Sequence, residues 1–319
     1  MTVTKQKLVS MLQYMRPAYS ITEKLFCDKY LLPVFGEPDA HGNYTKIVGK
    51  RPNIAFTAHT DTVHRSEGIQ TVTIEDDVVT TMSGSCLGAD CTTGLWLMLG
   101  MIDEGVEGVY VAHAAEEIGG LGSAALVADS PAWLNEIDAV ISFDRFGRNS
   151  IITHQGGLRT ASDIFATSLA SALDMPNLKA DSYGTYTDSM EYSGIVPECT
   201  NISVGYFNQH TAKESQDLEF AEMLLEKLIE ARWDVLAISR DPSQVDRFYD
   251  DSWGPYLSTN DSREVASLEK LLMDRPSDMA ELLFEYGMTL DSLCDELQLD
   301  YADKSFYLDV PAYQNRNVS

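Results

Sequence analysis

Apolar positions along this chain follow two different periods. Residues 53–58, 108–115, 138–143 and 201–207 are short, almost continuous apolar runs rich in Val, Ile, Ala and Phe. Runs of that kind are the mark of strands buried on both faces. Between and after them, residues 92–102, the stretch following Gly119–Gly122, residues 164–173 and residues 218–238 repeat apolar positions every three or four places, which predicts helices. Upstream, Leu8, Met11, Leu12 and Met15 predict an amphipathic helix over 4–15 ended by Pro17. Ser20 followed by Glu23 is a capping-box start for a second helix reaching about residue 32. Two strands are expected to flank the turn signal at residues 39–43, and alternating Val, Ile and Thr over 70–82 predict a hairpin. Strands and helices alternating in this way predict an α/β fold: a three-layer sandwich with a central mixed, mostly parallel sheet flanked by helices.

The alternation stops near residue 240, and with it the predicted catalytic domain, 1–240. Residues 241–260 are polar, aromatic and turn-rich. Residues 261–300 return to a helical pattern (Val265, Leu268, Leu271, Leu272, then Met279, Leu282, Leu283, then Leu290, Leu293, Leu297). Residues 241–319 are therefore expected to form an acidic, mainly helical extension. Its helix-turn-helix-like stretch around Gly287 is too acidic to suit DNA.

Charge narrows the partners. The net charge of −26 over 319 residues argues against nucleic acid and anionic membrane surfaces, which need basic footprints. No apolar run of about 18 residues predicts a membrane span. The N-terminal residues lack the apolar core of a signal peptide, so a cytoplasmic location is expected. Five cysteines without close CxxC pairs then read as reduced thiols.

The chemistry lies at the ends of the predicted strands. His59 and Asp61 follow the run 53–58, Glu116 and Glu117 follow 108–115, Asp144 follows 138–143, and His210 lies beyond 201–207. Asp90 closes a Gly-rich loop that opens a helix. In open α/β sheets ligands gather beyond the carboxyl ends of the strands, so these residues can converge on one spot. Hydrolysis of an unactivated amide needs an activated water and a polarised carbonyl, and divalent metals supply both. It also needs a carboxylate that binds no metal, to act as general base. Glu116 and Glu117 can divide those roles, because successive side chains leave an extended chain in opposite directions. Asp61, two residues from His59, shares its face and can fix its tautomer.

Five motifs in this order resemble the co-catalytic dizinc exopeptidases: His59-x-Asp61, Gly88-Ala-Asp90-Cys-Thr-Thr-Gly94, Glu116-Glu117-Ile-Gly-Gly-Leu-Gly-Ser123, Phe143-Asp144 and His210-Thr-Ala-Lys-Glu214. That superfamily includes zinc aminopeptidases, peptidase T-like tripeptidases, carboxypeptidases and acylamino-acid deacylases. The resemblance covers roughly residues 1–240. It implies His59 and Asp144 as ligands of one metal, Glu117 and His210 as ligands of the other, and Asp90 as the bridge. It further implies Glu116 as general base, Asp61 as the partner of His59, and two divalent ions, zinc ahead of cobalt or manganese. Cys91 departs from the pattern, since many relatives carry a second carboxylate there.

The intervals select a branch. Thirty residues lie between His59 and Asp90 and 65 between Asp144 and His210. Neither gap holds the inserted domain of the lidded branches, so the chain resembles the lid-free, single-domain aminopeptidases. Asp188, Tyr206 and His154 are candidate substrate-binding residues. Arg145 and Arg148 are candidates either for a substrate carboxylate or for surface ion pairs. The expected activity is exopeptidase cleavage of a peptide or small amide, with self-association into a homo-oligomer allowed. An N-acyl amino acid deacylase or dipeptidase is the alternative on the same site. From another class comes a non-catalytic metal-binding scaffold, against which Glu116 and the five ligand positions together count.

Overall fold

Successive side chains of a strand leave on opposite faces, and in the central strands of this protein both sets are buried. The computed structural model describes residues 3–244. Its main sheet has seven strands in the order Lys179–Asp181, Ser150–Ile152, Glu198–Ser203, Ala139–Arg145, Ile54–His59, Gly108–His113, Tyr44–Val48. The four strands from Glu198–Ser203 to Gly108–His113 run parallel, and Tyr44–Val48 closes one edge antiparallel. Phe56, Tyr110, Ile141 and Phe143 face one core with helices Val3–Met11, Ala89–Asp103 and Leu218–Glu230. Ala55, Val109, Val111 and Val140 face the other, against Leu126, Leu134, Tyr192 and Val196. The three-layer α/β sandwich is thus present, and its parallel strands are covered on both sides as their continuous apolar runs require. A second, four-stranded sheet holds the expected hairpin, Val72–Glu75 with Val78–Thr81.

Several boundaries differ from expectation for local reasons. The first helix ends at Met11 rather than 15, and Tyr14–Met15 pairs antiparallel with Gly68–Ile69. Gln70 Nε2 donates to Leu12 O at 2.8 Å, occupying a carbonyl that a continuing helix would use. No strand flanks the 39–43 turn on its N-terminal side: a short helix, Leu32–Phe35, with proline in its first turn stands there instead. The turn itself is built by Asp39 Oδ1, which accepts from His41 N and Asn43 N, both at 2.9 Å. The run 201–207 divides at Gly205 (φ 92°), leaving Glu198–Ser203 in the main sheet and Tyr206–Phe207 in the second. The helix that begins at Leu218 stops at Glu230 rather than 238, and Trp233 beyond it packs edge-on against Phe56. Apart from residues 241–244, the predicted helical extension lies outside the described residues.

The Ala89–Asp103 helix lies against the ends of the strands that matter most. A Cβ on Gly94 would fall 2.2 Å from the Phe143 carbonyl oxygen and 2.9 Å from Ala58 Cβ. Only a glycine permits that approach, which brings Asp90, in the helix's first turn, next to the ends of the strands that hold His59 and Asp144. Among the described residues no helix is long and apolar enough to cross a membrane.

Candidate metal centre

Three parallel strands, one helix start and a loop of the second sheet deliver the predicted residues to a single place. His59 ends its strand, while Asp144 lies inside the neighbouring one, Ala139–Arg145, rather than just after it. Beyond Gly108–His113 the chain turns at Ala115, a non-glycine residue at φ 58°. Such strain persists only where the surroundings over-determine it and clusters at functional sites. Here the turn presents Glu116 and Glu117. Asp61 fixes all three neighbours: its Oδ1 accepts from Glu116 N at 3.0 Å and its Oδ2 from Glu117 N at 3.1 Å. The same Oδ1 lies 3.3 Å from His59 Nδ1, which also meets Asp61 O at 3.1 Å. That arrangement places a proton on Nδ1 and leaves Nε2 free to bind. His59 Nε2 then faces Asp144 Oδ1 at 3.7 Å and Glu116 Oε2 at 4.0 Å.

The second imidazole comes from the far loop. His210, also strained at φ 59° with its side chain half exposed, directs Nε2 to Asp90 Oδ2 at 3.1 Å and to Glu117 Oε1 at 3.6 Å. Glu214 ties this loop to the Asp90 helix. Its buried carboxylate accepts from Leu87 N, Gly88 N and Ala89 N at 2.7, 3.0 and 2.9 Å, supplying the helix start with the acceptor that Gly88 at the N-cap lacks. On the other side, Thr187 Oγ1 donates to Asp144 Oδ2 (2.7 Å) and Asp144 N donates to Asn201 Oδ1 (2.9 Å). His59, Glu116 and Glu117 bring ligand atoms within 4.8 Å of one another, as do Asp90, Glu117 and His210, and as do His59, Asp90 and Cys91.

Whether a divalent cation suits this arrangement can be judged from the donors and their protons. The atoms offered are imidazole nitrogens and carboxylate oxygens, the set that suits zinc, cobalt and manganese, with the Cys91 sulfur beside them engaged by Asp61 O and Arg16. Glu117 Oε1 is buried without a hydrogen-bond partner, as a carboxylate kept for a cation would be. Burial, then the charge on Asp90, pushes the Glu117 carboxyl up to about 8. Burial likewise lifts Glu116 well above the usual carboxylate range, helped by Asp144 and Asp188. Burial opposes the charge on His210, yet its hydrogen bond to Asp90 and the charges of Asp90 and Glu117 push it up to about 10. Protons collect where positive charge is wanted, and divalent cations would meet the same need.

The remaining candidates occupy distinct places. Asp188 is 1% exposed and neither carboxylate oxygen has a hydrogen-bond partner. The Ser123 hydroxyl near it donates instead to Gly120 O (3.0 Å). Burial, against the opposing charge of His59, holds the Asp188 carboxyl up at about 7. Tyr206 is buried with its hydroxyl donating to Asp144 O at 3.0 Å. His154 is buried in the small pairing of His154–Gln155 with Leu158–Arg159, its Nδ1 against Thr153 Oγ1 at 3.0 Å. The ligand groupings do not include it. Arg145 pairs with Asp181 at 3.2 Å and Arg148 with Asp217. Sequence reasoning did not find Asn201, nor the second task of Asp61, nor the helix-capping of Glu214. Asn201 carries no local signal, whereas Glu214 stands inside the His210 motif.

The same backbone arrangement occurs in solved structures. Aminopeptidase PepT from Bacillus cereus aligns with a TM-score of 0.55 and 14% identity, covering 71% of this chain and 96% of that one. A tripeptidase from Staphylococcus aureus aligns with a TM-score of 0.58 and 12% identity, covering 71% and 96%. The chain shares the fold of these two peptidases. The peptidase fold is also that of the Pyrococcus horikoshii TET1 peptidase, which can assemble into a tetrahedron or a large octahedral shell (TM-score 0.52, 16% identity, 71% and 98% covered). No family profile and no curated protein matches the sequence.

Proposed function

We propose that this chain is a metal-dependent exopeptidase acting on free amino ends of peptides, with two divalent cations, zinc foremost, as its cofactor. One observation carries the proposal: the two imidazoles lie 3.1 to 4.0 Å from carboxylate oxygens of Asp90, Glu116, Glu117 and Asp144. His59 and Asp144 would hold one cation, Glu117 and His210 the other, with Asp90 between them. Bound there, the cations would lower the pKa of a water and polarise the scissile carbonyl.

The protein's own groups supply the rest. Glu116, which holds neither cation in this assignment, takes the water's proton at a carboxylate oxygen and passes it to the leaving amine nitrogen. Asp61 keeps His59 in the tautomer that frees Nε2, and its grip on Glu116 N and Glu117 N fixes the two carboxylates relative to each other. We assign Asp188 to the substrate's α-ammonium. A buried carboxylate without a partner is costly unless a cation meets it, and His59, Asp61 and Asp144 are the charges it feels. The assignment favours an aminopeptidase over a deacylase, because an N-acyl group offers no positive charge.

Chelation of the purified chain should abolish hydrolysis of aminoacyl anilides and zinc should restore it. Activity that survives chelation removes the metal mechanism. Equal turnover of N-acetylated and free aminoacyl anilides moves the site to deacylase chemistry instead.

A further inference from the structure

Arg16 is completely buried, and among the described residues no carboxylate lies within 4 Å of its guanidinium. The buried Glu23 carboxylate feels the Arg16 charge without being hydrogen-bonded to it, and a buried cation is costly unless its donors are met, so what Arg16 touches decides its role. Its Nε donates to Thr60 O at 2.9 Å, the carbonyl between His59 and Asp61. Its Nη1 donates to Thr92 Oγ1 at 3.0 Å and its Nη2 to Cys91 Sγ at 2.9 Å, the two residues directly after Asp90. The main chain at Arg16 is fixed in turn: Arg16 N donates to Thr62 Oγ1 (2.9 Å) and Thr62 N to Arg16 O (2.8 Å). The guanidinium plane lies over Phe26, 3.9 Å from the ring centroid, a favourable seat for a cation.

One planar group therefore spans the end of the His59 strand and the start of the Asp90 helix. We infer that Arg16 is a positioning residue for the metal centre, setting the separation of His59 from Asp90. This inference rests on the proposed two-cation site. The rigid fork of donors explains why arginine rather than lysine stands there: three acceptors on two chain segments are met at fixed angles. It also accounts for Cys91. The thiol donates to Asp61 O at 2.9 Å while it receives Arg16, so it serves the rear of the site. Asp61 O is the same carbonyl that meets His59 Nδ1.

The test uses the full-length chain. Arg16→Lys keeps the charge and loses the fork. It should retain a cooperative thermal transition yet bind zinc about 10–100-fold more weakly by competition with a chromophoric chelator, the range seen when groups behind metal ligands are changed. Because Arg16 is shut off from substrate, kcat should fall while KM for an aminoacyl anilide stays unchanged. A folded Arg16→Lys protein with wild-type zinc affinity and kcat overturns the inference, since a purely structural role would lower stability alone. Should that variant not fold, Thr92→Val removes one arm, together with the bond from Thr92 Oγ1 to Gly88 O at 2.5 Å, and spares the charge. Zinc affinity should then drop in the same direction, and an unchanged affinity overturns the inference. A wild-type chain that binds no zinc defeats the underlying proposal itself, and that result is in hand before any variant is made.

Discussion

Asp61 carries more of this site than its size suggests. Three functional neighbours hang on its carboxylate and carbonyl: the ring of His59 and the main-chain N–H groups of Glu116 and Glu117. Changing Asp61 to Asn replaces an acceptor-only group with one that must turn an NH2 toward at least one of these donors. Zinc affinity should drop about 10–100-fold, measured by chelator competition, and an unchanged affinity would free the site from this clamp. Glu116 belongs to a different class of residue. Glu116→Gln should keep both metals, as judged by elemental analysis, while turnover falls about 10²–10⁴-fold, the usual contribution of a positioned general base. A fully active Gln variant would assign the proton to another group. These two residues were legible in the sequence because their spacing, two from His59 and one from Glu117, already states a geometry. Arg16 and Asn201 were not, because their partners are 44 to 76 and 57 residues away and nothing local marks them.

At the scale of elements, the strand runs were readable because burial on both faces leaves an unbroken apolar record, as in Gly108–His113. What could not be read was where an element gives way to tertiary pairing. Met15 has the spacing of a helix and lies in a strand, because Gly68–Ile69 offers it a partner. The run at 201–207 looks like one strand and serves two sheets, because Gly205 turns the chain at φ 92°. The contact that most constrains the site is the approach of the Ala89–Asp103 helix to the sheet at Gly94. Gly94→Ala would press a methyl group on the Phe143 carbonyl oxygen, 2.2 Å from the ideal Cβ, and on Ala58. Overpacking of this kind costs about 1–3 kcal/mol. Urea denaturation should show that loss, together with weaker metal binding as Asp90 is levered away. A variant as stable as the wild type would mean the helix seats elsewhere.

Over the whole molecule, the sheet puts its chemistry along one edge. Three adjacent parallel strands carry or lead to His59, Glu117 and Asp144, Asp90 comes from the helix laid across them, and His210 from the loop beyond Tyr206–Phe207 of the second sheet. Acidic residues dominate the place as they dominate the chain, whose net charge is −26. Among the described residues the carboxylates at the centre have no cationic side chain among them except the two imidazoles, and that imbalance is what favours the proposed pair of cations. Cations that bind the folded chain and not the unfolded one must also stabilise it. The most direct test is a calorimetric zinc titration of the metal-stripped, full-length protein. Two equivalents of saturable binding per chain are expected, lost when His59 and His210 are both changed to Ala. No saturable binding, or the same isotherm from the double variant, would contradict the two-cation centre.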